Sequence, residues 1–230
     1  MSVHVAVKGP LACFTNPFLK VERVSYPVMT PSAAKGFMRS LYWKPEFEWI
    51  IKRIYVINEI QYHTMMLREI KDKTQLKGLT DKTHTLRHNL LLKDVHYVIE
   101  AEIVLNPLRP NDRHGSVYAY EQEARKRMRK GQQFRTPYLG MTDYTASYWD
   151  LIEDERDLPK PIALTKDLGS MLFDMIPLDL NKDLYAPLFF RAQLVNGVLE
   201  VPQDLYQDYL PQVFAIRNRT HKNNGGLHAA

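Results

Sequence analysis

"VHYVIEAEIVL", Val95 to Leu105, is the stretch whose reading decides the fold. Val95, Tyr97, Ile99, Ala101, Ile103 and Leu105 take alternate positions, and His96, Glu100 and Glu102 fall between them. Successive side chains of a strand point to opposite faces, so this segment predicts a strand with one apolar and one polar face. Working outward supplies its neighbours. Upstream, "WIIKRIYVIN" (Trp49 to Asn58) is rich in β-formers and apolar on both faces, like a central strand. Ile60 to Met66 predicts another strand. The charged stretch from Arg68 to Asn89 lacks periodicity and predicts an exposed, mobile loop or hairpin tip.

Two helical segments flank these strands. In "TPSAAKGFMRSLYWKP" (Thr30 to Pro45), Thr30 can cap the first turn and Pro31 suits the first helical position. Ala34, Phe37, Met38 and Leu41 form an apolar stripe at helical spacing, and Pro45 predicts an end near Trp43. The other face carries Lys35, Arg39 and Tyr42 in a row at i, i+4 and i+7. Ser116 to Lys130 predicts a second helix, with Val117, Tyr120, Ala124 and Met128 inward and Gly131 as C-cap. Val3, Val5 and Val7 predict a first strand ended by Gly9-Pro10, and Leu139 to Tyr148 a further one.

Strand, helix, strand, strand, helix, strand is the split βαβ order. The fold class read from it is α+β: a ferredoxin-like (RRM-like) domain over residues 1–148, with a smaller antiparallel β-sheet extension over 149–215. In the extension, "DLGSMLFDMI" and "PLFFRAQLVNGVLEVP" read as strands, and Asn196-Gly197 is a two-residue hairpin turn. Residues 216–230, polar and rich in Asn and Gly, read as a flexible tail.

The 230 residues, 45% hydrophobic and 25% charged, can bury a core, which argues against disorder throughout. The single cysteine, Cys13, excludes an internal disulfide and a multi-cysteine metal site, and reads as a core residue. No signal-peptide-like stretch and no run of 18 apolar residues occurs, so the expectation is a cytoplasmic protein with no membrane partner. A phosphate-cradling glycine loop, HExxH and a nucleophile elbow are all missing, and the eight histidines are scattered. No metal and no cofactor are therefore expected.

Lys and Arg outnumber Asp and Glu by 31 to 26, so placement matters more than the net charge of +5. Between Arg109 and Arg135 eight cations face three acidic residues, and five of them, Arg125 and Arg129 included, fall in "ARKRMRK" on the second helix. Such a run reads either as a solvated face suited to the helix C-terminal dipole or as a seat for an anionic polymer. Lys20, Arg23, Lys35, Arg39 and Lys44 add cations on and around the first helix. Tyr26, Tyr42, Trp43, Tyr118 and Tyr120 are interleaved and suit stacking on unpaired bases, which favours single-stranded RNA.

"ACFTNP", "KVERVSYPVMTPSAAKG" and "YWKP", followed in order by "LLKDVHYVIEAE", "GQQFRTPYLG", "DLGSMLFDM" and "PLFFRAQLVNGVLEVP", resemble the fifth CRISPR-associated (Cas) family in its subtype I-C form. The resemblance runs to about Pro202. It implies a protein of type I-C antiviral defence that cuts precursor CRISPR RNA without metal, the RNA's own 2′-hydroxyl being the nucleophile. It also implies retention of the 5′ handle and assembly with the other subunits of the type I-C surveillance complex. Weak double-stranded DNA binding is a further partner expectation. Tyr42 matches the family's aromatic or imidazole position at the end of the first helix. The family's Lys-His pair opening the second helix is absent: ungapped counting from "GQQF" puts Ala119 and Tyr120 there, and a gap moves the match to Ser116 and Val117. His114 and Arg113, just upstream, offer an imidazole and a cation. The catalytic candidates are thus Tyr42, Tyr120 and His114. The RNA-binding candidates are Lys20, Arg23, Lys35, Arg39, Trp43, Lys44, Arg113, Arg125 and Arg129. The alternative is a catalytically inactive subunit that only caps the handle.

Overall fold

A computed structural model describes residues 2–19, 22–70, 84–110, 115–179, 182 and 184–225. Its elements are β1 (Val3–Ala12), β2 (Arg23–Val24), α1 (Pro31–Leu41), β3 (Phe47–Val56), β4 (Gln61–Ile70) and β5 (His84–Leu105), then α2 (Val117–Arg129), β6 (Tyr148–Ile152), β7 (Lys166–Asp179), β8 (Leu184–Val195), β9 (Val198–Glu200) and α3 (Asp204–Gly225). Nine strands among the described residues join one sheet in the order β6-β1-β5-β3-β9-β8-β7, with β2 and β4 also on β5. Every pairing is antiparallel except that of β2 with β5. The protein is therefore a mixed α/β structure with a mostly antiparallel sheet.

The alternation in β5 sets the register. Val3, Val5 and Val7 stand opposite Ala101, Ile99 and Tyr97, and these apolar residues enter the main core. His4 stands opposite Glu100 on the second face, where Glu100 is buried as well and accepts from the Tyr55 hydroxyl at 2.8 Å. The stripe Ala34, Phe37, Met38 and Leu41 is buried as its spacing predicts, and the Thr30 side chain accepts from the Ala33 amide. Asn196 and Gly197 have φ values of 49° and 75°, as a primed hairpin turn between β8 and β9 requires.

Several expectations are corrected. β1 does not stop at Gly9-Pro10 but runs to Ala12. Pro10 lies past the reach of β6, where β1 has lost one neighbour, and a sheet edge tolerates a missing amide. The loop read over Arg68–Asn89 is strand as far as Ile70 and again from His84, because the two segments pair with each other; 71–83 lie outside the described residues. The strand read over Leu139–Tyr148 is a turn, with Leu139 donating to Tyr144 and Tyr144 to Met141, and β6 starts only at Tyr148. In place of the tail's first two thirds, and of the last part of the β extension, stands α3. Tyr206, Tyr209, Leu210, Val213 and Phe214 form its buried stripe, and that stripe holds the helix against the core despite Pro211. Among the described residues no helix is long and apolar enough to cross a membrane.

Candidate functional site

Of the row Lys35, Arg39 and Tyr42, the two end members are buried and Arg39 is half-buried. Lys35 is only 4% exposed; its ammonium pairs with Asp174 of β7 and donates to the Tyr209 hydroxyl of α3 at 2.6 Å. Burial pushes the Lys35 ammonium downward and Asp174 opposes that push. The reading of Lys35 as an RNA contact is thus corrected: the apolar stripe is wider than four residues suggest, and β7 and α3, remote in sequence, cover the flank that carries Lys35. Arg39 grips Glu48 of β3, donating from Nε at 2.8 Å and from a terminal nitrogen, and the Glu48 carboxylate is fully buried.

The two helices meet instead at the end of α1. Tyr42 is its C-cap, with an extended backbone, and its carbonyl accepts from the Trp49 indole at 2.7 Å. Ser116 caps α2, which places Tyr120 in the first turn. Phe47 lies between the two phenols, 5.4 Å from the Tyr42 ring and 5.2 Å from the Tyr120 ring. Both tyrosines are buried, at 3% and 1% exposure. Over them sits the Lys44 ammonium, 5.6 Å from each ring centroid and 2.9 Å from a Glu123 carboxylate oxygen. The Arg127 guanidinium lies 5.6 Å from the Tyr42 centroid. Burial, then the adjoining Glu123 carboxylate, drive the Tyr42 phenol well above its ordinary range, so near neutrality it is a proton donor rather than a base.

Sequence reasoning named Tyr42, Tyr120 and Lys44, and the structure brings these three together. It missed Glu123 and Arg127, although their spacing from Tyr120, i+3 and i+7, puts them on one side of α2 with it. Trp43 adjoins the cluster in sequence and is half-buried. The remaining candidates lie apart. Arg125 donates to the Ser2 carbonyl at 2.6 Å and pairs with Glu153 just past β6, where Arg129 also binds. Arg125 is held beside β1 and β6, which lie two and three strand spacings from β3, about 10 and 14 Å, where Glu48 holds Arg39. The two cationic rows converge through Lys44 and Arg127, not through Arg39 and Arg125. Arg23 on β2 directs its guanidinium to the Met141 sulfur at 3.3 Å. Lys20, Arg113 and His114 lie outside the described residues.

Residues 2–202 match the family described as CRISPR-associated protein (Cas_Cas5), Cas5d. The chain is 36% identical over 222 residues to a Thermus thermophilus protein named CRISPR pre-crRNA endoribonuclease Cas5d, covering 90% of this chain and 93% of that one. It is 34% identical over 219 residues to a Mannheimia succiniciproducens protein of the same name, covering 87% and 94%. Its structure is similar to a crystal structure titled as a CRISPR-associated protein, with a TM-score of 0.65 at 25% identity, over 88% of this chain and 92% of that one.

Proposed function

This chain belongs to the CRISPR-associated Cas5 family, and from that premise we propose that it is a precursor CRISPR RNA endoribonuclease that keeps the 5′ handle of its product. The observation that carries the reading is the meeting of Tyr42 and Tyr120 beneath Lys44 and beside Arg127. Cleavage proceeds by attack of the 2′-oxygen on the adjacent phosphorus. A new P–O bond forms, the bond to the 5′-oxygen breaks, and a 2′,3′-cyclic phosphate and a 5′-hydroxyl result, with no metal required. Lys44 and Arg127 stabilise the extra negative charge on the phosphate oxygens. Tyr42, held protonated by its surroundings, supplies the proton to the departing 5′-oxygen. His114, two residues before the α2 cap, takes the proton of the 2′-hydroxyl.

The order β1-α1-β3-β5-α2-β6 with sheet order β6-β1-β5-β3 supports the ferredoxin-like arrangement, with β6 as its fourth strand carrying that unit to Ile152, a few residues beyond the 148 read from sequence. The β7–β8 hairpin falls within the extension read over 149–215, and with the handle it would contact neighbouring subunits of a type I-C complex. Arg129, exposed at the far end of α2, is a secondary phosphate contact, and weak binding of double-stranded DNA would use the same charge.

Ala119 and Tyr120 at the positions of the family's Lys-His pair favour a second reading, a subunit that caps the handle without cutting it. One experiment separates the two. Repeat RNA from the protein's own locus is incubated in EDTA beside a copy with a 2′-deoxy nucleotide upstream of the cut. Cleavage of the first alone is the expected result. Binding of both with cleavage of neither leaves the capping reading.

A further inference from the structure

Glu123 sits in the cluster against both Lys44 and the Tyr42 hydroxyl. Its carboxylate takes the Lys44 ammonium at 2.9 Å, and the two side chains are 30% and 33% exposed. A pair that open to water adds little to stability, so the fold has little need of it. Close by, the Arg127 Nε is buried and, among the described residues, has no hydrogen-bond partner. Buried cationic donors normally find an acceptor, so Arg127 Nε is a donor that an incoming anion can use. Lys44 and Arg127 together outweigh the one carboxylate, and both lie over the Tyr42 ring. The site is therefore built for an anion with more acceptor oxygens than a carboxylate offers.

We propose that Lys44, Arg127 and Tyr42 form a phosphodiester site that the Glu123 carboxylate fills in the free protein, and that an RNA phosphate displaces Glu123 on binding. The inference rests on the RNA reading above and adds a built-in competitor to it. Displacement does two things at once. It releases the Lys44 ammonium to the phosphate, and it removes from the Tyr42 hydroxyl the carboxylate that helps to hold its titration up. The tetrahedral phosphate has oxygens left over for Arg127 Nε, which the carboxylate leaves unbonded. Glu123 is thus an electrostatic gate: neutral surfaces and weak anions leave it shut, and a strand that brings a phosphate together with other contacts opens it.

The test uses the full chain and repeat RNA made uncuttable by a 2′-deoxy nucleotide, so that affinity is read apart from cleavage. Glu123→Gln keeps the shape and removes the charge, and should tighten binding about two- to fivefold, the range an exposed ion pair commands. Adding Lys44→Ala should abolish that gain, because the released cation is what the phosphate uses. Glu123→Asp withdraws the carboxylate by one methylene and should give part of the gain, which covers the case where the glutamine variant folds poorly. Glu155→Gln, an exposed carboxylate in the turn after β6, should leave affinity unchanged. Equal tightening by Glu155→Gln would mean bulk charge alone, and would overturn the site. So would unchanged or weaker binding by Glu123→Gln. Inorganic phosphate at matched ionic strength should compete for the site and reduce the gain, whereas chloride should not. Wild-type failure to cut in EDTA, together with tightening by Glu123→Gln, would remove the nuclease reading and keep this site for handle binding.

Discussion

Lys35 and Lys44 stand nine residues apart around one helix, and both meet a carboxylate, yet they serve opposite ends. Lys35 is sealed between α1, β7 and α3 with Asp174 and the Tyr209 hydroxyl. Lys44 lies just beyond the helix, about a third exposed, with Glu123. In the first pair both charges have left water, so their attraction offsets a desolvation cost, and removing either leaves a stranded charge. In the second, water screens the pair, and either member can exchange its partner at small cost. A buried pair orders a fold; an open one can be used for binding.

The largest effect expected from that contrast is on stability. Lys35→Ala should destabilise the protein by about 3–5 kcal/mol, the cost of a buried Asp174 without its partner. Its thermal midpoint should fall by roughly 10 °C or more in a calorimetric scan. A Lys35→Met/Asp174→Leu pair should recover most of the loss, and failure to do so would show that the pair does more than neutralise itself. Next in size is a pH effect on the sheet's other face. His4, then the Tyr55 hydroxyl and Arg53, hold the Glu100 carboxyl at about 2 against an ordinary 4.5. A depressed carboxyl stabilises the fold above its unfolded value, and that contribution is lost as the pH falls from about 4.5 to 2. The difference corresponds to about 3 kcal/mol at neutral pH. Denaturant titrations of wild type and Glu100→Gln should show the acid limb in the first and a much shallower one in the second. The smallest change in stability belongs to Lys44→Ala, within about 1 kcal/mol. Its effect should appear in RNA affinity, with the salt slope reduced by about 0.7 for the one phosphate contact removed. A large loss of stability there would break the contrast between the two lysines.

Particular residues show how far the sequence reached. The period-2 pattern of Val95–Leu105 was legible because β5 has a core on one face, and the Thr30 and Ser116 caps because they act within one turn. The Tyr206–Phe214 stripe went unread, because Pro211 and the polar run after it masked its helical spacing. Arg68–Ile70 and His84–Asn89 were unreadable as strands, since only their pairing with each other makes them so. At the site, Tyr42 and Tyr120 came from sequence, the first by its motif and the second by ungapped counting back from "GQQF". Lys44 was legible as a cation, but its position over both rings depends on the packing of α2 against the end of α1.

Local chemistry, then, was settled by the chain itself: which segments cap, which alternate, and which residue types are present for handling a phosphate. The family membership follows from the same order of motifs. Which cations stay in water was decided only when β7 and α3, well over a hundred residues downstream, closed over Lys35 and left Lys44 open. Burial is a property of the packed whole, and it sets whether a lysine's charge is sealed into the fold or left within reach of a partner.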